Sequence, residues 1–163
     1  MVLIILFGYE LLTKQNLKTM YKYKVCEVSV KYRTEEELDK EIFAKNRDDV
    51  VDIFRQFMQE DIELEEMSYG LILNNRLKVI ACINIGIGDT TNCVINARKL
   101  LSACLLCNGN AVIMAHNHPS GNLKASSADM RTTEQLRKAC EFLGIKLLDS
   151  LILTKKEFTS LTD

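Results

Sequence analysis

Two histidines occur in the 163-residue chain, and they stand two positions apart, at His116 and His118. They follow a wholly apolar run, Ala111–Ala115, that reads as a strand buried on both faces. Along a strand, side chains alternate with a period of two, so both imidazoles point to one side. Eleven residues beyond His118 comes Asp129, in the first turn of the next expected helix. Two imidazoles and a carboxylate make three corners of a tetrahedral zinc site, with the fourth left for water. An open corner marks a catalytic zinc, because a water held there loses a proton near neutral pH. Each piece also has a plainer reading. His-x-His occurs as surface decoration or as a hydrogen-bonded pair. Ser126-x-x-Asp129 fits a helix capping box, in which Asp129 reaches back to the N–H of Ser126. The two roles are compatible, since a carboxylate has two oxygens. The conjunction favours chemistry: both histidines, the sole proline (Pro119), Gly121 and the capped carboxylate lie within fourteen residues.

The elements that must position these groups follow from periodicity. Tyr23 to Tyr32 alternates apolar and polar with a phase change at Cys26-Glu27, a strand with a bulge. The charged stretch Tyr32–Lys45 reads as surface. From Asp48 to Met58, Val50, Val51, Phe54, Phe57 and Met58 form one helical stripe, with Asp48 and Asp49 suited to the first turn. Met67–Leu73 and Leu77–Ile85 read as two strands joined by the turn Asn74-Asn75-Arg76. Asn84–Asn92 reads as a loop and a candidate flap over an extended peptide. Ile95–Cys107 is expected as a helix stopped by Asn108-Gly109. A helix from about Ser127 to Leu143 ends at Gly144, and Ile145–Thr154 is the last strand. This order predicts a single α/β domain, a mixed sheet flanked by helices.

Bulk properties narrow the class. Hydrophobic residues make up 47% and charged residues 26%, as in a soluble globular protein. A net charge of −1 gives no electrostatic reason for strong nucleic-acid binding. The lysines at 14, 18, 22, 24 and 31 are the one basic concentration, and an ordinary surface explains them. Cys82, Cys93, Cys104, Cys107 and Cys140 lie in or beside apolar runs, where free cysteine behaves as a small hydrophobe. This points to a reducing, cytoplasmic compartment. Met1–Tyr9 is apolar but lacks a basic start, a cleavage site and the length to span a bilayer, so no membrane partner is expected. It packs as a strand or lies partly disordered, or it precedes a natural start at Met20.

The run His116-Asn-His118-Pro119-Ser120-Gly121, then Ser126-Ser-Ala-Asp129, resembles the JAMM motif of JAB/MPN-domain metalloproteases. That motif is His-x-His, seven residues, Ser, two residues, Asp, and the spacing is met throughout. The fuller form Ala115–Gly121 with Leu143-Gly-Ile-Lys-Leu-Leu-Asp149 resembles the RadC branch, and the likeness extends from about Val25 to Phe158. The resemblance implies a cytidine-deaminase-like fold, Zn2+, and His116, His118 and Asp129 as ligands. It implies that Ser126 lies near the metal to hold an oxyanion or water. It also implies an upstream glutamate as general base and then acid. Asp61, Glu63, Glu65 and Glu66 cluster before the Met67–Leu73 strand, and spacing alone does not choose among them. The family's count, eight positions back from Asn74, selects Glu66. The organisation implied is an extension at 1–20 that is not necessarily native, a strand and helix at 21–60 packed on the domain, and a catalytic domain at 61–163. The expected activity is zinc-dependent hydrolysis of an amide bond in a peptide or isopeptide substrate.

The RadC pattern commonly has a histidine after the equivalent of Asp149, whereas this chain has Ser150. If that histidine is an outer partner of the site, its loss weakens the site or changes its preference. Arg98 matches an arginine of the branch, or is a surface charge on a helix. Cys104-x-x-Cys107 offers a rival structural zinc site with the histidines. A deaminase is a second rival, but its His-x-Glu and Pro-Cys-x-x-Cys signature is absent. From a different class comes a DNA-repair-associated or mobile-element accessory protein with a structural or vestigial metal site. The family's repair label supports such a DNA association, and the near-neutral charge argues against it.

Overall fold

A computed structural model describes residues 5–7, 10–12, 41–88 and 95–162. The chain divides into two units, residues 1–31 and 32–163. In the first, β1 (Ile5–Phe7) and β2 (Glu10–Leu12) pair antiparallel. The strand expected over 23–32 lies outside the described residues.

The second unit is built on a five-stranded sheet. Its elements are α1 (Arg47–Met58), a 3-10 turn (Gln59–Glu63), β3 (Met67–Leu73), β4 (Val79–Ile87), α2 (Ala97–Leu106), β5 (Ala111–Asn117), α3 (Ser127–Phe142), β6 (Lys146–Leu153) and β7 (Phe158–Ser160). The strand order is β4-β3-β5-β6-β7. Only β5 and β6 run parallel, and α3 makes the crossover that a parallel pair requires. The sheet is mixed, as expected for an α/β domain.

β5 is buried along its whole length, and its alternation feeds two cores. Ala111, Ile113 and Ala115 pack with Leu71, Leu151 and Phe54 on the α1 side. Val112 and Met114 pack with Leu100, Cys104, Leu136 and Cys140 on the side of α2 and α3. On α1 the buried stripe is Val50, Val51, Ile53, Phe54 and Met58. Phe57, placed on that stripe by periodicity, is instead half exposed, its ring 6.1 Å from that of Tyr69.

The helix ends follow the expected chemistry. Asn46 caps α1, Asn96 caps α2 and Ser126 caps α3, each side chain accepting from the backbone N–H three residues on. α3 stops at Gly144, whose φ of 69° is left-handed. There Ile145 N–H returns to the Cys140 carbonyl, closing a Schellman turn. The β3–β4 turn extends one residue beyond Arg76, to a left-handed Leu77, because Asn74 Oδ1 accepts from both Arg76 N–H and Lys78 N–H.

Two expectations need correction. The segment from Asn84 to Ile87 is not loop: it continues β4, pairing with β3 as far as Met67↔Ile87. Gly86 and Gly88 argued for a turn, but β3 offers backbone partners that draw Gly86 into the ladder. Residues 89–92 of the expected flap lie outside the described residues. β7 was not anticipated. It is only three residues long and pairs antiparallel with the end of β6.

Candidate metal centre

β5 ends at Asn117, so His116 sits in the sheet and His118 is the first residue beyond it. Both rings lie on the side of α2 and α3, as the period of two requires. Their Nε2 atoms are 3.1 Å apart and the rings are inclined at 60°. His118 N–H continues the bonding toward β6 through the Leu153 carbonyl, 2.9 Å away. The His118 ring is oriented by its other nitrogen, since Nδ1–H donates to the Asn122 carbonyl at 2.6 Å. In the neutral ring this leaves Nε2 as a lone pair facing His116. His116 is buried, and its Nδ1 has no hydrogen-bond partner.

Asp129 arrives from the first turn of α3. Its Oδ1 is 3.4 Å from His116 Nε2 and its Oδ2 is 3.9 Å from His118 Nε2. The capping box is also present: Ser126 N–H donates to Asp129 Oδ2 at 2.7 Å, and Asp129 N–H donates to Ser126 Oγ at 3.1 Å. The carboxylate that completes the cap thus also faces both imidazoles. Burial would raise the Asp129 carboxyl. The His116 ring and the side chain and backbone of Ser126 outweigh it and hold the group well below the usual carboxylate range.

Glu66 lies just before β3. One of its carboxylate oxygens and a ring nitrogen from each histidine fall within 4.8 Å of one another. Among the described residues this is the one cluster of its kind, and it can hold a metal ion. Of the other acidic residues in the run, Glu63 turns away to an ion pair with Lys155 at 2.7 Å. The rival cysteine pair does not join the site. Cys104 is buried in the core between α2 and the sheet, and Cys107 caps the end of α2. Cys82, Cys104 and Cys140 are free thiols.

The fold, the His-x-His turn at the end of β5 and the acidic residue at the start of β3 agree with the comparison of known families. Residues 44–163 match the RadC-like JAB domain. This chain belongs to that family. Among relatives, a UPF0758 protein of Haemophilus ducreyi is 31% identical over 106 residues, covering 64% of this chain and 48% of its own length. UPF0758 protein SSU98_1084 of Streptococcus suis is 35% identical over 96 residues, or 59% of this chain and 39% of its own. A UPF0758 protein of Actinobacillus pleuropneumoniae is 32% identical over 104 residues, or 63% and 47%. This RadC-like chain thus spans less than half the length of these relatives. No helix among the described residues is long and apolar enough to cross a membrane.

The RadC departure at Ser150 has a defined setting. Ser150 is buried on β6 beside Met114, and its hydroxyl lies 2.9 Å from Thr133 Oγ1, one turn along α3 from Asp129. Arg98 is exposed in the first turn of α2. One residue escaped sequence reasoning altogether. Asn117, the middle of His-Asn-His, is fully buried, and its carboxamide bonds the segment that carries Glu66. The available signal was a polar residue in an apolar strand at an inward position of the face opposite the histidines.

Proposed function

We propose that this RadC-like domain is a zinc-dependent hydrolase of the metalloprotease or isopeptidase type, cleaving an amide bond. The observation that carries the reading is the closeness of the two histidine Nε2 atoms and the Asp129 carboxylate. With zinc–nitrogen and zinc–oxygen bonds of about 2.0–2.1 Å, neighbouring corners of a tetrahedron are about 3.3 Å apart. The two ring nitrogens, 3.1 Å apart, lie near that edge, and the Asp129 carboxylate faces both, with Oδ1 3.4 Å from His116 Nε2 and Oδ2 3.9 Å from His118 Nε2. The donor set also suits zinc: two imidazoles, one of them oriented by a backbone carbonyl, and a carboxylate held well below the usual carboxylate range.

His116, His118 and Asp129 would hold the ion. When bound, zinc supplies a Lewis acid that polarises the substrate carbonyl and acidifies a water. Glu66 then has two tasks at its carboxylate: to take the proton of the attacking water, and to pass it to the departing amine. Its oxygen, within 4.8 Å of both ring nitrogens, is near enough for a water to lie between. Ser126 Oγ accepts the Asp129 N–H, which leaves its own O–H free as a donor to an oxyanion. The capping box fixes that hydroxyl beside the ligand it caps.

The test pairs elemental analysis with hydrolysis of a quenched-fluorescent peptide library and a lysine-linked isopeptide. One zinc per chain is expected, with cleavage lost in Glu66→Gln while the zinc stays. Zinc held by the wild type without cleavage of either probe would overturn the hydrolase reading and leave a binding module, the class to which a DNA-associated accessory protein belongs.

A further inference from the structure

We infer that Asn117 is a positioning residue that sets the direction of the Glu66 side chain, an inference that rests on reading Glu66 as the proton carrier. The β3–β5 ladder pairs Ser68 with His116, and its next rung would join Met67 to Asn117. Instead, the Asn117 side chain takes over. Its Oδ1 accepts from Met67 N–H at 2.7 Å, and its Nδ2 donates to the carbonyls of Glu65 and Ile62, both at 2.8 Å. These partners allow one orientation of the amide, with nitrogen toward the two carbonyls.

The bonds fall on both sides of Glu66. A side chain leaves Cα in a direction set by its two flanking peptide planes. The plane before Glu66 is held through the Glu65 carbonyl by Asn117. The plane after it is held twice, through Met67 N–H by Asn117 and through the Glu66 carbonyl, which accepts from Gly88 N–H at 2.8 Å. Asn117 is fully buried, so water does not compete for these groups. The alternation of β5 gives the arrangement its logic. His116 and His118 face α2 and α3, while Asn117 between them faces the 3-10 turn and the approach to β3. One tripeptide therefore orients the metal-binding rings on one face and the acidic side chain from the other.

No substitute side chain offers one acceptor and two donors at this length. Asn117→Ala removes all three bonds while leaving the histidines and Asp129 in place. The experiment is a zinc chloride titration of the full chain, labelled with carbon-13 and followed by NMR. The Glu66 carboxyl resonance is identified by its loss in Glu66→Gln. In the wild type, zinc is expected to shift that resonance together with the ring signals of His116 and His118. In Asn117→Ala the ring signals still shift, while the Glu66 response is lost. If the alanine variant does not fold, Asn117→Ser carries the test with the same expected result. An unchanged Glu66 response in the variant overturns the inference. Loss of the ring responses as well also overturns it, because Asn117 would then be holding the end of β5. A wild-type Glu66 that ignores zinc overturns the reading of Glu66 itself, and the inference with it.

Discussion

Two carboxylates approach the same pair of imidazoles, and thermal unfolding of Asp129→Asn beside Glu66→Gln separates their roles. Asp129 lies 3.4 and 3.9 Å from the ring nitrogens, and Glu66 lies within 4.8 Å of both. If Asp129 is the third ligand, zinc binds the native fold of the wild type and of Glu66→Gln but not that of Asp129→Asn. A ligand at a hundred times its dissociation constant stabilises the native state by about 2.7 kcal/mol. For a chain of 163 residues, each kcal/mol raises Tm by about 2–4 °C, so zinc should raise it by roughly 5–10 °C. The asparagine keeps an oxygen for the Ser126 N–H at the cap, so its metal-free stability should fall by no more than about 1 kcal/mol. The assay is differential scanning fluorimetry with chelator or zinc. All three proteins carry the same cysteines, so zinc taken up by unfolded chains cancels in the comparison. The expected shift persists in Glu66→Gln and shrinks below about 1 °C in Asp129→Asn. A full shift in Asp129→Asn, with none in Glu66→Gln, would refute the assignment and make Glu66 the ligand.

Further expectations concern the frame around the site. An alanine Cβ at Gly70 would sit 2.4 Å from Leu100 Cδ1, a side chain wholly enclosed between α2 and the sheet, so Gly70→Ala should cost about 1–3 kcal/mol in urea unfolding. Gly70 is not in the left-handed region, so in a Leu100→Ala background the same change should cost far less; equal costs would show that packing is not the cause. Ser150→Ala leaves the buried Thr133 hydroxyl without its partner and should lower stability by about 1–2 kcal/mol. Zinc content should not change, and a loss of zinc would mean that Ser150 acts on the ligands. Burial pushes the Cys82 thiol up to about 12 and the Cys140 thiol up to about 11, so both stay protonated at pH 8. Mass spectrometry after brief iodoacetamide treatment should find both unmodified in the native protein and alkylated in urea.

Periodicity and spacing carried much of this molecule. The apolar run before His116 implied a doubly covered strand, the period of two put both rings on one side, and Ser126-x-x-Asp129 announced its own cap. These are local properties, written within a few residues by alternation and by hydrogen bonds three positions apart. Membership of the RadC-like family was legible for the same reason, since its motif is a short run with fixed gaps. What depended on partners remote in sequence was not legible. Asn84–Ile87 became strand because β3 offered it a ladder, and Phe57 turned outward while Ile53 took the core. Among four clustered acids spacing chose none and only the family's count pointed to Glu66; the packing of β3 against β5 brings it to the histidines, and Asn117 ties down its backbone across some fifty residues of sequence. Sequence spells out which groups can react. Where they meet depends on strand pairing and on the burial of groups far apart in the chain, which no local pattern encodes.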